Sequence, residues 1–138
     1  MVEIRLMPWN EAREEASRIR FLVFVEEQRV PREVELDARD AECLHALARL
    51  EGRVVGTGRL LPDAHIGRMA VLKACRGLGV GGRILESLVA KAAERGDRQV
   101  VLAAQVHAVP FYERHGFEAF GAVYEEAGIP HRNMRRKL

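Results

Sequence analysis

Apolar and polar positions alternate with a period of two in several short runs and with a period near 3.6 in two longer ones. Val2-Glu3-Ile4-Arg5-Leu6 alternates and predicts a first strand, stopped by Pro8. Asn10 stands where an N-cap belongs, ahead of a helix running through EAREEASRIRFLVF and ending near Glu27. The next stretch, QRVPREVELDARDAE, is polar, contains Pro31 and keeps no steady period. It predicts a loop with room for a short helical turn. HALARL and RVVGTGRLL follow as an antiparallel hairpin turning at Glu51-Gly52, and HIGRMAVL as a further strand after Pro62-Asp63. In GGRILESLVAKAAERG the positions Val80, Ile84, Leu85, Leu88, Val89 and Ala92 share one helical face, with Gly96 as the stop. RQVVLAAQ is apolar throughout and predicts a strand buried inside a sheet. AVPFYERHGF predicts a short helix, with Pro110 in its first turn and Gly116 at its end. FEAFGAVYEE and HRNMRRKL close the chain as two strands around a turn at Ala127-Gly128-Ile129-Pro130. The order β-α-β-β-β-α-β-α-β-β predicts an α/β (α+β) fold, a mixed, mostly antiparallel sheet flanked by helices.

Composition narrows the class. A chain of 138 residues, 48% hydrophobic and 30% charged, is expected to form one globular domain over residues 1–138. No apolar run approaches the roughly 20 residues of a membrane span. The acidic start MVEIRLMPWNEAREE, broken by Pro8, does not read as a signal peptide. Cys43 and Cys75 stand apart with no metal-ligand spacing, which reads as reduced, buried thiols in a cytoplasmic protein that holds no metal. No basic stripe is interleaved with aromatics, which argues against nucleic acid as a partner.

Charge adds an asymmetry. Residues 1–45 carry 11 acids and 7 bases, whereas residues 46–138 carry 9 acids and 15 bases. Such halves predict two ligand surfaces, one for cations and one for anions.

The chemistry centres on ACRGLGVGGRIL, which contains a literal G-x-G-x-x-G from Gly77 to Gly82. A nucleotide P-loop would need Gly-Lys-Ser/Thr, but Gly82 is followed by Arg83-Ile84. A dinucleotide site would need an acid about 20 positions on for the ribose, and VVLAAQVH has none. What survives is a strand entering a glycine turn that opens a helix, with backbone N–H groups at a positive dipole end. Each glycine costs up to ~1 kcal/mol of chain entropy, which an ordinary turn would avoid. The turn therefore predicts close approach of a pyrophosphate.

VLKACRGLGVGGRIL resembles the acetyl-CoA signature of the GNAT superfamily of N-acetyltransferases, Gln/Arg-x-x-Gly-x-Gly/Ala, with Arg76, Gly79 and Gly81 on its fixed positions. The preceding MAV resembles the strand that pairs its backbone with pantetheine in that family. AAQVHAVPFYERHGF resembles the second signature, with Gln105 where Asn is frequent and Lys73 where Pro is frequent in the first. VFVEEQRVPREVELD and YEEAGIPHRNM are similar to a small bacterial subgroup labelled ElaA-like or YjcF-like.

The resemblance implies an acetyl-CoA groove at a splayed strand pair, and direct acetyl transfer to a primary amine of a small molecule or peptide. It implies Met69, Ala70, Val71, Arg76, Gly77, Leu78, Gly79, Val80, Gly81, Gly82, Gln105, Phe111 and Tyr112 as cofactor-binding positions. Tyr112 is also the implied acid for the leaving thiolate. For the base, the candidates are Glu35 and His131, with Asp37, His45 and His107 as further titratable groups. From Glu26 to Glu42 there are 7 acids and 3 bases, a charge expected to attract a cationic amine. A non-catalytic acetyl-CoA-binding sensor on the same fold is the alternative, and a homodimer is left open.

Overall fold

The computed structural model describes residues 1–35 and 37–138; Leu36, in the segment predicted as a loop, lies outside the described residues. Strand β1 (Val2–Pro8) leads into helix α1 (Trp9–Arg20), and a short helix α2 (Arg32–Glu35) follows. Then come β2 (Leu44–Leu50), β3 (Arg53–Leu60), β4 (His65–Val71), α3 (Val80–Glu94), β5 (Gln99–Gln105), α4 (Val109–Glu113), β6 (Glu118–Glu126) and β7 (Ile129–Lys137). The seven strands form one sheet in the order β1-β2-β3-β4-β5-β7-β6. All neighbours are antiparallel except β4 and β5. The expected order and the mixed, mostly antiparallel sheet are both observed.

Strand periodicity divides the core between two faces. In β2, Ala46 and Ala48 join one apolar cluster while Leu47 joins the other; in β3, Val55 and Val54 divide the same way. One cluster seats α3 through Val80, Ile84, Leu85, Leu88, Val89 and Ala92, all buried. The six are the face that the 3.6 period predicts. The smaller cluster seats α1 through Ala12, Ala16 and Ile19.

Four local expectations are corrected. The first helix begins at Trp9, with Pro8 at its N-cap and no side-chain cap from Asn10. Proline's fixed φ and missing N–H let the helix start immediately behind it, and the Trp9 ring is held by His45 at 4.7 Å and by the Arg20 guanidinium at 5.5 Å. Beyond Arg20 the helix widens into a π-helix over Phe21–Glu27, closed by Gln28 N–H donating to the Val23 carbonyl. The final turn comprises only Ala127-Gly128, both at positive φ, and Ile129 and Pro130 already pair with β6. Finally, β5 is covered on one face alone: Val100, Leu102 and Ala104 are buried, whereas Ala103 is exposed. The sheet face under α1 is open at β5, and that opening is the site.

Candidate active site

Strands β4 and β5 pair only through His65↔Val101 and Ile66↔Leu102, and then part. The cause is a bulge in β4. Arg59 faces Gly67 and Thr57 faces Ala70, so Arg68 and Met69 together oppose the single residue Gly58. Arg68 sits at φ +49°, a left-handed conformation uncommon for a side chain of its size. Beyond the bulge, Ala70 packs toward α1, and Met69 and Val71 toward α3. The gap opens a cleft of about 1870 Å³, lined on one wall by Met69, Ala70 and Val71 and on the other by Ala103 and Gln105. Ordinary small-ligand pockets measure roughly 300–1,000 Å³, so the cleft is sized for a long ligand plus a second molecule.

The glycine turn closes one end. Gly77 and Gly79 lie at φ +81° and +82°, where a Cβ is strained, and α3 starts at Val80. The first backbone bond into α3 is Arg83 N–H to the Gly79 carbonyl, and no side chain caps the helix. The N–H groups of Val80, Gly81 and Gly82 therefore have no acceptor among the described residues, at the positive end of a 15-residue helix. These three residues, with Gly77 and Gly79, line the cleft. A Cβ on Gly82 would meet the His115 ring at 3.1 Å, so the turn is also tightly packed. Leu78 is different: its side chain is 60% exposed and lies outside the lining.

Arg76 is not a free cation. Its Nη1 and Nη2 each donate to Glu27 at 2.6 Å, and its Nε donates to the Val71 carbonyl at 3.0 Å. That fork holds the Glu27 carboxyl below its ordinary range and ties the π-helix to the glycine turn. Gln105 makes a reciprocal amide pair with Gln28, at 2.8 and 3.3 Å, across the other side of the cleft.

Tyr112 stands on α4 with its ring edge-on to Phe111 at 5.0 Å and to Phe117 at 5.9 Å. It lines the cleft, its hydroxyl has no hydrogen-bond partner among the described residues, and burial pushes its pKa up to about 12. Phe111 also lines the cleft. His131, opposite Gln105 on β7, places Nδ1 2.7 Å from the Ile129 carbonyl. A carbonyl only accepts, so Nδ1 carries the hydrogen; Nε2 stands 3.9 Å from a Glu126 carboxylate oxygen, with the ring stacked on Tyr124.

The acidic run is occupied by arginines. Arg20, almost wholly buried, donates to Glu35 and forks onto Asp40 at 2.8 and 3.1 Å. Arg59 forks onto Asp37 at 2.9 Å to each oxygen and reaches Asp40 at 2.9 Å. The Arg59 bonds, outweighing burial, hold Asp37 at about 2. Glu27 is on Arg76, and Glu42 is on Arg39 at 3.5 Å. The expected cation-attracting surface is thus corrected for five of its seven acids, which are neutralised where they stand; Glu26 and Glu33 make no ion pair among the described residues. Glu35 lines the cleft as a partner of Arg20, not as a free base. His45 is buried against Trp9, and His107 lines the cleft. Cys43 is buried but Cys75 is half-buried at the cleft, both as free thiols. Among the described residues no group of His, Cys, Asp and Glu could hold a metal, and no helix is long and apolar enough to cross a membrane.

Residues 11–138 match the family model of the acetyltransferase (GNAT) domain. The chain is 38% identical over 131 residues to the uncharacterized N-acetyltransferase YjcF of Bacillus subtilis, covering 92% of this chain and 94% of that one. The crystal structure of Escherichia coli ElaA is similar at a TM-score of 0.87 and 30% identity, over 99% of this chain and 100% of that one. An acyl-CoA N-acyltransferase from Pseudomonas aeruginosa is similar at a TM-score of 0.87 and 30% identity, over 99% of both chains.

Proposed function

The chain belongs to the acetyltransferase (GNAT) family, and from that premise we propose that it moves an acetyl group from acetyl-CoA directly to a primary amine of a small molecule or peptide. It is an acyltransferase, so the non-catalytic sensor is set aside. One observation carries the acetyl-CoA assignment. The unpartnered N–H groups of Val80, Gly81 and Gly82 and the unpaired edge of β4 line one continuous cleft. A pyrophosphate and an amide-bearing arm need those two features in one ligand path.

In this reading the N–H groups at the start of α3 hold the pyrophosphate, and Gly77 and Gly79 give the turn its left-handed shape. The backbone of Met69, Ala70 and Val71 pairs with the pantetheine amides. Phe111 and Gln105 wall the groove. Leu78 contributes backbone only, and Arg76 braces the turn through Glu27. Bound acetyl-CoA supplies the thioester; the protein supplies orientation and proton transfer. The amine must lose a proton to attack, and His131 Nε2 is the candidate acceptor for it, directly or through water. Tyr112, protonated at neutral pH, donates to the leaving sulfur.

Thermal melting tests the assignment. A ligand that binds only the folded chain at a hundredfold its Kd stabilises it by about 2.7 kcal/mol. Acetyl-CoA and CoA should therefore raise the Tm, with NAD and ATP far weaker. Equal or greater stabilisation by NAD would overturn the reading of the glycine turn.

A further inference from the structure

The buried ionic cluster under the bulge is balanced in formal charge but not in contacts. Arg20, Arg59 and Arg68 face Glu35, Asp37 and Asp40. Arg20 uses three donors on two carboxylates, and Arg59 uses both terminal nitrogens on two. Arg68 makes a single hydrogen bond, 3.1 Å from Nη2 to an Asp37 oxygen that Arg59 already holds. Glu35 stands 4.0 Å from the Arg68 Nε and is engaged by Arg20. The Nε is sealed from solvent with no partner among the described residues. Of the three nitrogens of this guanidinium, only Nη2 has a protein acceptor among the described residues. Burial and the neighbouring Arg59 lower its proton affinity, which is the mark of an under-compensated cation.

Two further facts separate Arg68 from a merely structural arginine. Its backbone is held at φ +49°, a strained conformation for a non-glycine residue that persists where the surroundings impose it. Its side chain remains 28% exposed and lines the cleft, one residue from the Met69 backbone. The acids beside it are fully engaged by Arg20 and Arg59, whereas the Arg68 fork is held at Nη2 alone.

We propose that Arg68 is the acceptor subsite, and that it binds a carboxylate on the amine substrate, making the substrate an amino acid or an amine with a nearby acid group. This rests on the transferase reading of the same cleft. A planar carboxylate matches the terminal fork, supplies an acceptor to the unpartnered Nη1 and places the amine within one side chain of the strand gap. The attraction is for the acid; the amine itself is selected by position.

The test uses matched pairs that differ only in the acid: 4-aminobutyrate against 4-aminobutyramide, and β-alanine against β-alaninamide. CoA release is measured for each, with rates corrected for the fraction of neutral amine. The acid of each pair should be preferred about 10- to 100-fold in kcat/KM, mostly through KM, the range of one charge-assisted contact. Arg68→Gln should abolish that preference. Arg68→Gly fits the left-handed backbone, so it should melt as a folded protein and lose the preference too. Amides used as well as acids, or a preference surviving both substitutions, would overturn the proposal. Failure to transfer to any amine counts against the transferase reading, and product binding then decides the subsite alone. The N-acetyl acids should raise the Tm of CoA-loaded protein more than their amides do, and equally with them in Arg68→Gln. Equal protection in the unsubstituted protein would sink the subsite.

Discussion

Tyr112 carries the sharpest expectation at the scale of a single residue. Its ring is fixed between Phe111 and Phe117, and burial raises its hydroxyl to about 12. At neutral pH the group is protonated, so it is suited to donate a proton and not to remove one. Tyr112→Phe keeps the ring contacts and deletes the donor. Under the proposed role kcat should fall by roughly 10²- to 10⁴-fold with acetyl-CoA affinity little changed, as steady-state kinetics and ligand melts would show. A wild-type kcat, once chemistry is shown to be rate-limiting, returns Tyr112 to packing. Sequence made this residue and the glycines visible because their signal is local. Arg68 left no such signal: its positive φ is imposed by the bulge, and its partner Asp37 stands 31 positions away in sequence. Gln28 was equally invisible, since its partner Gln105 is 77 positions off.

Helix α3 sits unusually close to β3, and two glycines allow it. A Cβ on Gly56 would lie 2.8 Å from Ile84 Cδ1 and 3.2 Å from the Ala70 carbonyl oxygen. One on Gly58 would lie 2.7 Å from Met69 Sδ and 2.9 Å from Ile84 Cγ2. The Ile84 end can rotate, but the Ala70 carbonyl belongs to the neighbouring strand and cannot yield freely. Gly56→Ala should therefore destabilise the fold by about 1–3 kcal/mol in chemical denaturation, the ordinary cost of overpacking a filled core. A neutral result would mean that α3 can lift without loss. The apolar face of α3 was legible in the sequence because a 3.6 period is a property of the helix alone. The π-helix after Arg20 was not, because apolar FLVF fits either winding and the choice between i−4 and i−5 bonds is made by packing.

The charge asymmetry of the whole chain resolves into pairing across it. Acids from residues 27–40 meet Arg59, Arg68 and Arg76 from the following segment, so part of the imbalance is internal neutralisation. Counting charges along a sequence cannot separate that from a ligand surface, because the sheet decides which segments meet. The same sheet is nearly divided in two: β1 to β4 and β5, β7 and β6 join through two residue pairs at the β4–β5 seam. Amides on the parted edge of β4 lack a strand partner there and should exchange with solvent readily in the free protein. A ligand bridging the seam has a distinct signature. In hydrogen–deuterium exchange, acetyl-CoA should slow residues 67–71 and the start of α3 near residues 80–82, while β1 and β2 change little. Protection confined to β1 and β2, or spread evenly over the chain, would mean the ligand does not lie in the gap. Protection at the α3 start alone would separate the two halves of the argument, keeping the anion cradle and removing the pairing to β4.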